Sequence, residues 1–302
     1  MLSYVLFTLT IGGIYALLAL ALALNLAWGS TGLVNLGLAG FFGIGAYASA
    51  IVTMDGAPVI VGLAAAIACG ALAGIVITAV TLRLRDDYLA IVTLGFAEVV
   101  RLVALNERWL TRGADGISGI AAPFKDQLGP DGFNDTYFVF VSVVVLLIWL
   151  FLRRIDLGPF GRALKPVRED QELAGFAGKP VRRFKIQAFA LSSAIAGLAG
   201  ALYGHYQSYI SPDHFDPLIT IYIFLAVTAG GLGRPLGAVA GAYAVVIFLE
   251  VTRFIAAAVP GIAPVQVAAL REMLVGLALP LVLQLRPNGL LPDRNPAAPR
   301  SS

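Results

Sequence analysis

Long apolar runs separated by short polar segments make up most of the chain. The first charged side chain is Asp55, so the opening 54 residues contain enough uncharged sequence for two passes of about 20 residues each through a bilayer. Apolar runs long enough for a span, or close to it, cover 4–27, 33–54, 58–82, 88–105, 137–152, 186–206, 218–229, 236–255 and 265–285. The pattern predicts an all-α membrane protein, a polytopic helical bundle of about eight to ten transmembrane helices.

Glycines modify this picture in two ways. They interrupt the runs 33–54 and 218–255, which predicts broken or re-entrant helices there, because such backbone is tolerated only where protein covers it. Glycines at four-residue spacing also let helices approach closely, and the pairs are Gly70 with Gly74, Gly200 with Gly204 and Gly237 with Gly241. These pairs favour helix packing within one bundle over a ligand-binding role.

Composition supports lipid as the solvent of this chain. Hydrophobic residues make up 59% of it and charged residues only 13%, whereas soluble domains carry about a quarter charged residues. The net charge of +3 is concentrated in one basic segment without a motif that reads RNA or DNA, so membrane lipid is expected around the chain and no nucleic-acid partner is predicted.

The distribution of basic residues predicts the orientation, because short cytoplasmic loops collect Lys and Arg. Segment 153–185 holds nine basic residues and is predicted to be cytoplasmic: Arg153, Arg154, Arg162, Lys165, Arg168, Lys179, Arg182, Arg183 and Lys185. Segment 106–136 holds five acidic residues against three basic ones and is rich in turn sequences, which predicts an external loop. We expect one transmembrane domain over 1–286, followed by a Pro-rich tail, 287–302, that is cytoplasmic and disordered.

Three polar residues lie within otherwise apolar spans. Glu98 and Arg101 are three residues apart on one predicted helix, so a self-neutralising pair that fixes helix packing is the favoured interpretation. The alternative is that the pair lines a solute path. Asn35 is interpreted first as a bend or packing residue, with a place on the same path as the alternative. Glu250 and Arg253 repeat the spacing near the end of another span.

Enzyme chemistry finds little support in the sequence. No nucleophile with a base and no spaced set of metal ligands is recognisable, and His205 and His214 are interpreted as polar residues at the external end of a helix. The glycine-rich turn 230–233 lacks the Gly-Lys-Ser/Thr of a phosphate-binding loop. We therefore predict that this chain has no catalytic residues, metal site or cofactor of its own, and that it does not hydrolyse ATP.

The most informative polar segment is 158–185. Glu169 and Asp170 lie near the start of a short amphipathic helix, where acidic side chains complement the helix dipole, and Gly178 followed by Pro180 ends it. A lipid-headgroup anchor would also be basic, but it would not need the acidic cluster or the terminating glycine. The segment therefore favours a helix that docks on a cytoplasmic partner.

At this segment the chain resembles a known family. The run Glu172-Leu173-Ala174-Gly175-Phe176-Ala177-Gly178 resembles the EAA loop of bacterial ABC importers, with Leu173 in place of the first alanine. The segment 161–164, with Arg168-Glu169-Asp170 and 183–185, is similar to branched-chain amino acid permeases of the LivM type. So are the blocks 32–37, 41–47, 88–101, 113–117, 230–233 and 285–290, which follow in the family order.

The resemblance implies a bacterial inner-membrane importer that works by alternating access. In such an importer this chain forms half of the pathway, beside a second, homologous permease, two ABC ATPase subunits that hold ATP and Mg, and an extracytoplasmic solute-binding protein. The resemblance places on the ATPase-coupling loop the residues Arg162, Arg168, Glu169, Asp170, Glu172, Ala174 and Gly178. It implies branched-chain or other small amino acids as solutes, with amides or urea as alternatives.

Two other classes stay open on the residues alone. An ion-coupled secondary transporter would hold ionisable groups near the midplane of broken helices, which Glu98 and Arg101 permit without requiring it. An intramembrane enzyme would need a nucleophile and a base that face each other across spans, and no polar residue suggests such a pair.

Overall fold

Helices form almost all of the described structure. The computed structural model describes residues 2–25, 35–81, 86–123, 125–169, 171–231 and 235–258, and single positions between 266 and 289. The helices are α1 (Leu2–Ala23), α2 (Leu38–Met54), α3 (Val59–Thr81), α4 (Asp86–Asn106), α5 (Arg108–Thr111), α6 (Lys125–Leu157), α7 (Pro159–Glu169), α8 (Gln171–Phe176), α9 (Val181–Gln207), α10 (Leu218–Gly230) and α11 (Pro235–Ala258). Short 3-10 helices cover Gly113–Asp115 and Pro212–Phe215.

The spans confirm the prediction of a polytopic helical bundle. Within the described residues, six helices are long and apolar enough to cross a membrane: Ser3–Ala23, Val59–Thr81, Tyr88–Asn106, Gly132–Leu157, Val181–Gln207 and Pro235–Arg253. Two further apolar helices are shorter, α2 with 17 residues and α10 with 13. The predicted run 265–285 is described only at scattered positions, all of them helical, and the tail 287–302 lies outside the described residues except for Gly289.

Close approaches between helices give their relative directions. Along the contact between α3 and α9, the glycines Gly70 and Gly74 pack against Ser193 and Ala190, so these two helices are antiparallel. α2 runs parallel to α9, because Phe41 contacts Phe189 and Ser49 reaches His205. Rising residue numbers in α2 therefore lead towards the same end of the bundle as those in α9.

The two predicted loops lie at opposite ends of α9. Strand β1 (Ile117–Ser118) pairs with β2 (Tyr209–Ile210) just beyond the C-terminal end of α9. The segment α7–α8 leads directly into the N-terminal end of α9. Part of the expected external loop is helical instead. α6 begins with a short helical piece at Lys125, and its backbone is kinked at Gly129, whose φ is 67°. Polar side chains in that first stretch mask the helix from a search for apolar runs.

The core lies along α1 and α9. Every described side chain from Ala16 to Leu22 on α1 is fully buried, as are Phe41 and Phe42 on α2 and Phe189 on α9. α3, α4 and α6 bury only about a fifth of their span residues, which fits a peripheral position against lipid or another subunit.

Candidate functional site

The basic segment α7–α8 is anchored to the spans at its first turn. Gly161 packs so closely on the Asp156 backbone that an added Cβ would overlap the Asp156 carbonyl oxygen. The Arg162 side chain donates from Nη1 to the Leu157 carbonyl oxygen at 3.0 Å. This bond satisfies one of the carbonyls left open at the end of α6, where a positive charge also complements the helix dipole. Arg162, predicted on the coupling loop, therefore fixes the joint between α6 and α7.

Buried contacts hold α7 and α8 against the bundle. The rings of Phe160 and Phe184 meet edge to face with centroids 5.6 Å apart, which joins the start of α7 to the start of α9. Leu164 and Ala174 are almost fully buried. Ala174, predicted from the resemblance to lie on the coupling helix, is on α8, where its side chain faces the protein.

The outer side of α8 is apolar. Leu173 is 68% exposed and Phe176 is 89% exposed, three residues apart and therefore on one helix face. We call this pair the α8 apolar face. Sequence reasoning treated Leu173 as a departure from the family pattern and did not single out Phe176. The signal that could have found them is two large apolar residues at helical spacing in a cytoplasmic segment.

Gly178 ends α8 in the predicted manner. Its φ is 76°, the Gly178 N–H donates to the Gly175 carbonyl at 3.0 Å, and the Lys179 N–H donates to the Ala174 carbonyl at 3.1 Å. These bonds form a Schellman motif, which requires the left-handed conformation that glycine adopts most easily. The backbone of Arg168 and Glu169 lies in α7, and that of Glu172 lies in α8. Their side chains, and all of Asp170, lie outside the described residues.

Glu98 and Arg101 form the predicted pair on α4. Arg101 donates from Nε to Glu98 Oε2 at 3.0 Å and from Nη2 to Oε1 at 2.6 Å, a bidentate arrangement. Arg101 Nη1 also lies 3.8 Å from Asp213 Oδ1, on the 3-10 helix Pro212–Phe215. The Arg101 and Glu98 side chains are 22% and 39% exposed, so this charged group lies at the edge of the bundle rather than in its core.

The other ion pair has different surroundings. Glu250 and Arg253 on α11 lie 4.0 Å apart, and Glu250 also accepts a hydrogen bond from the Tyr4 hydroxyl on α1. Glu250 thus links α11 to α1, and its contact with Arg253 is not bidentate. Equal sequence spacing therefore does not give equal structure.

Asn35 is fully buried just before α2. Its Oδ1 accepts from the Gly37 N–H at 2.9 Å. Nearby, Thr93 of α4 accepts from the Leu36 N–H and Thr220 of α10 accepts from the Ala39 N–H, both at 3.1 Å. The interpretation of Asn35 as a bend residue agrees with this local role. Among the hydrogen bonds and ion pairs of the described residues, none joins Asn35 to Glu98 or Arg101.

The two histidines lie near the C-terminal end of α9. His205 is buried, with Nδ1 2.6 Å from the Ala121 carbonyl oxygen and Nε2 2.8 Å from Ser49 Oγ. A carbonyl only accepts, so Nδ1 carries the proton and, in the neutral ring, Ser49 donates to Nε2. His214 lies edge to face against Tyr203 and Tyr209. The part of the chain that the structure describes holds no group of three or more His, Cys, Asp or Glu side chains that could bind a metal.

Comparison with known proteins decides between the classes that the residues left open. Residues 4–283 match the family described as "Branched-chain amino acid transport system / permease component". The chain belongs to this family of transport permeases. It is a permease subunit of an ABC importer, and its family is not one of enzymes. The resemblance stated from the sequence is thereby confirmed.

The similar proteins cover nearly the whole chain. The high-affinity branched-chain amino acid transport system permease protein LivM of Escherichia coli (strain K12) is 33% identical over 92% of this chain and 68% of its own length. The probable LivM of Methanocaldococcus jannaschii is 29% identical over 93% of this chain and 91% of its own. The LivH permease of Escherichia coli (strain K12) is 26% identical over 77% and 79%. No solved structure matches.

Proposed function

We propose that this permease forms half of the translocation pathway for branched-chain amino acids in an importer of the bacterial inner membrane. A second, homologous permease would form the other half, two ATPase subunits would bind ATP and Mg, and an extracytoplasmic protein would deliver the solute. The observation that carries the proposal is the family match over 4–283, and both LivM and LivH relatives are named for branched-chain amino acids. Amides or urea are the alternative solutes.

The α8 apolar face is the proposed contact with an ATPase subunit. Exposed apolar pairs on a rigid, capped helix are typical of helix-in-groove docking, in which apolar anchors enter a hydrophobic groove. The first turn of α7 is fixed to α6 through Arg162 and Gly161, and the Phe160–Phe184 contact joins it to α9. A displacement of α8 by ATP-driven closure of the ATPases would therefore be carried into both spans.

A pull-down tests this coupling. Purified chain is mixed with candidate ATPase subunits as wild type, as Leu173→Arg, as Phe176→Asp and as the control Trp109→Ser. Trp109 is 82% exposed on the far side of the bundle, so its replacement removes a comparable apolar surface elsewhere. We expect wild type and control to retain the ATPase and both α8 variants to lose it while staying monodisperse. Loss in the control alone, or retention by both α8 variants, would contradict the docking assignment.

The charged group of Glu98, Arg101 and Asp213 is the proposed lining of the outer part of the path. Charges within a span are costly unless they pair or face water, and this pair remains partly exposed. The alternative is a purely structural pair. Both interpretations predict that Glu98→Gln and Arg101→Gln reduce uptake, so single substitutions do not separate them.

A charge exchange separates the two roles. The double variant Glu98→Arg with Arg101→Glu keeps an ion pair at the same spacing on α4. A structural role predicts that the exchange restores both the melting temperature and ATP-driven leucine uptake in proteoliposomes. A role in the path predicts that the melting temperature returns whereas uptake does not. An ion gradient that drives uptake without ATPase subunits would instead favour the secondary-transporter class.

A further inference from the structure

Helix α2 begins inside the bundle rather than at a membrane surface. Gly37 packs on the backbone of Thr93, and Gly40 packs on Ala97. Thr93 and Ala97 lie about 10 Å and about 16 Å from the Asp86 end of α4, which is about 31 Å long at 1.5 Å per residue. The first turn of α2 therefore lies between one third and one half of the way along α4.

Helix α10 begins at the same depth. Its third residue, Thr220, is fully buried and accepts the hydrogen bond from the Ala39 N–H in the first turn of α2. The segment between α9 and α10 thus returns into the bundle, as its buried Phe215 against Phe42 of α2 also shows. Two short helices therefore start side by side in the interior. In transporters with broken helices, the N-termini of half-helices likewise point at anionic groups of the solute.

The two helix starts differ in charge compensation. The N-terminal N–H of α10 is capped by a carboxylate, since the Leu218 N–H donates to Asp216 Oδ1 at 2.8 Å. At α2, the three partners are neutral: the Asn35 amide and the Thr93 and Thr220 hydroxyls, with no acidic residue in the first turn. Among the described residues, no acidic side chain therefore offsets the partial positive charge at the start of α2.

One hydrogen-bond donor at this start has no partner. Asn35 is fully buried, and its Oδ1 lies over the Gly37 N–H, which holds the whole carboxamide at the end of α2. Among the described residues, its Nδ2 has no acceptor. Leaving such a buried donor unpaired is unfavourable, because the group has given up its hydrogen bonds to water. A ligand that accepts a hydrogen bond at this point would recover that cost.

We infer that the start of α2, with Asn35 Nδ2 as donor, binds the carboxylate of the transported solute. The inference rests on the proposed function and narrows it, because a carboxylate is present in amino acids and absent from urea and simple amides. A carboxylate would accept from Nδ2 and would be attracted by the helix dipole of α2. Asn35 is closed to solvent in this conformation, so the solute reaches it when α2, α4 and α10 separate during transport.

Binding to the full chain in lipid nanodiscs tests this inference. The probes are radiolabelled L-leucine and L-leucinol, in which a CH2OH group replaces the carboxylate. The variants are Asn35→Leu, which removes the donor, and Asn35→Asp, which replaces the carboxamide with a negatively charged carboxylate of nearly equal size. The control is Thr53→Val near the other end of α2, where the buried hydroxyl bonds only within its own helix.

We expect wild type and Thr53→Val to bind leucine at least about tenfold more tightly than leucinol. Both Asn35 variants should lose that preference, because one hydrogen bond to a charged group corresponds to a factor of about ten or more. Melting curves without solute show whether each variant is folded. If Asn35→Leu fails to fold, the Asn35→Asp result decides.

The contrary outcomes are distinguishable from failure of the proposed function. Equal binding of leucine and leucinol by wild type, or an unchanged preference in folded Asn35 variants, overturns the inference and leaves the permease role intact. A wild-type chain that retains its ATPase partners but binds neither probe overturns the inference and also the proposal that the solute is an amino acid. Loss of ATPase retention by wild type overturns the proposed coupling itself.

Discussion

At the scale of single residues, the packing of α2 on α9 depends on Gly200. A Cβ at this position would overlap the carbonyl oxygen of Phe42 and approach the Ala46 nitrogen to 2.9 Å. Neither atom can move without displacing the α2 backbone, which is itself buried. The glycine is thus kept by a backbone contact between helices, in the way that small residues serve helix packing in membranes.

The first prediction is that Gly200→Ala destabilises the protein. We expect a loss of about 2 kcal/mol or more, comparable to overpacking of a tight core. Gly95→Ala is the matched control, because Gly95 is also within a spanning helix but an added Cβ meets nothing within 4 Å. The control should be neutral or stabilising by up to about 1 kcal/mol, from helix propensity alone. Thermal unfolding in detergent measures both, and equal effects of the two substitutions would contradict this account.

Residue spacing in the sequence predicted these contacts only in part. The four-residue pairs Gly70–Gly74 and Gly237–Gly241 do lie at helix contacts, against Ser193 and against Gly230 with Ala226. The Glu98–Arg101 pair was also readable, because its partners lie on one helix. Asp213, the third member of that group, was not, since nothing in the sequence places a residue so distant next to α4. Local patterns give contacts within a helix, whereas contacts between helices depend on the fold.

At the scale of elements, α8 depends on its C-terminal cap. The second prediction compares Gly178→Val with Gly178→Asn. An added Cβ at this position meets nothing within 4 Å, so any cost comes from the backbone φ of 76°. Valine should weaken ATPase retention and destabilise α8 by about 1–2 kcal/mol, whereas asparagine, which tolerates the left-handed region, should cost less.

Retention of a purified ATPase subunit and hydrogen exchange of the amides in 171–180 measure the two effects of the Gly178 substitutions. Faster exchange in the valine variant with unchanged exchange in α9 would support the cap. Equal exchange in valine and asparagine variants would show that φ at this position is not limiting.

The segment 211–217 between α9 and α10 carries a pH-dependent group. Burial beside Tyr203, Tyr209 and Phe215 lowers the pKa of His214, and the adjacent Asp213 carboxylate acts in the opposite direction. The folded state therefore prefers neutral His214, so the unfolded chain binds the extra proton first as the pH falls. Its stabilising effect is complete above the ordinary histidine pKa of about 6.5 and is lost progressively below it.

The third prediction follows from that sign. The melting temperature of wild type should fall between pH 7.5 and pH 5, and His214→Phe should show a smaller fall, because phenylalanine keeps the ring contacts and carries no charge. His205 is present in both chains and serves as common background. A variant that keeps the full pH dependence would show that other groups cause it.

Element prediction succeeded where periodicity was simple. The long apolar runs correspond to α1, α3, α4, α9 and α11. In the basic segment the predicted helix start was wrong: Glu169 is the last residue of α7 rather than near a helix start, because α7 already begins at Pro159, and α8 begins at Gln171. The spanning part of α6 was placed too late, at 137 rather than 132, since polar residues interrupt its apolar pattern. The predicted interruption of 218–255 lies between the end of α10 at Gly230 and the start of α11 at Pro235, whereas α2 is one continuous helix over Leu38–Met54. The interior starts of α2 and α10 were not predicted, because their meeting point depends on the return of 211–217 into the bundle.

At the scale of the whole molecule, the fold and the charge distribution give one orientation. The chain directions along α2, α3 and α9 place 113–118 and 171–178 at opposite ends of the bundle. The nine basic residues of 153–185 predict, by the positive-inside rule, that the second end faces the cytoplasm. α1 is antiparallel to α9, because Phe7 stacks on Tyr206 while Ala21 accepts a hydrogen bond from Ser192, so its first residues lie at the same end as 113–118.

The fourth prediction tests this orientation with single cysteines. Cys69 is the only cysteine of the chain, so Cys69→Ser gives a background without thiols. Into it we place Ser118→Cys on β1 or Ala177→Cys after α8, both exposed positions. A membrane-impermeant maleimide should label Ser118→Cys in intact spheroplasts. It should label Ala177→Cys only after the membrane is permeabilised. The reverse pattern would place α8 outside, where no ATPase could reach it, and would contradict both the orientation and the proposed coupling.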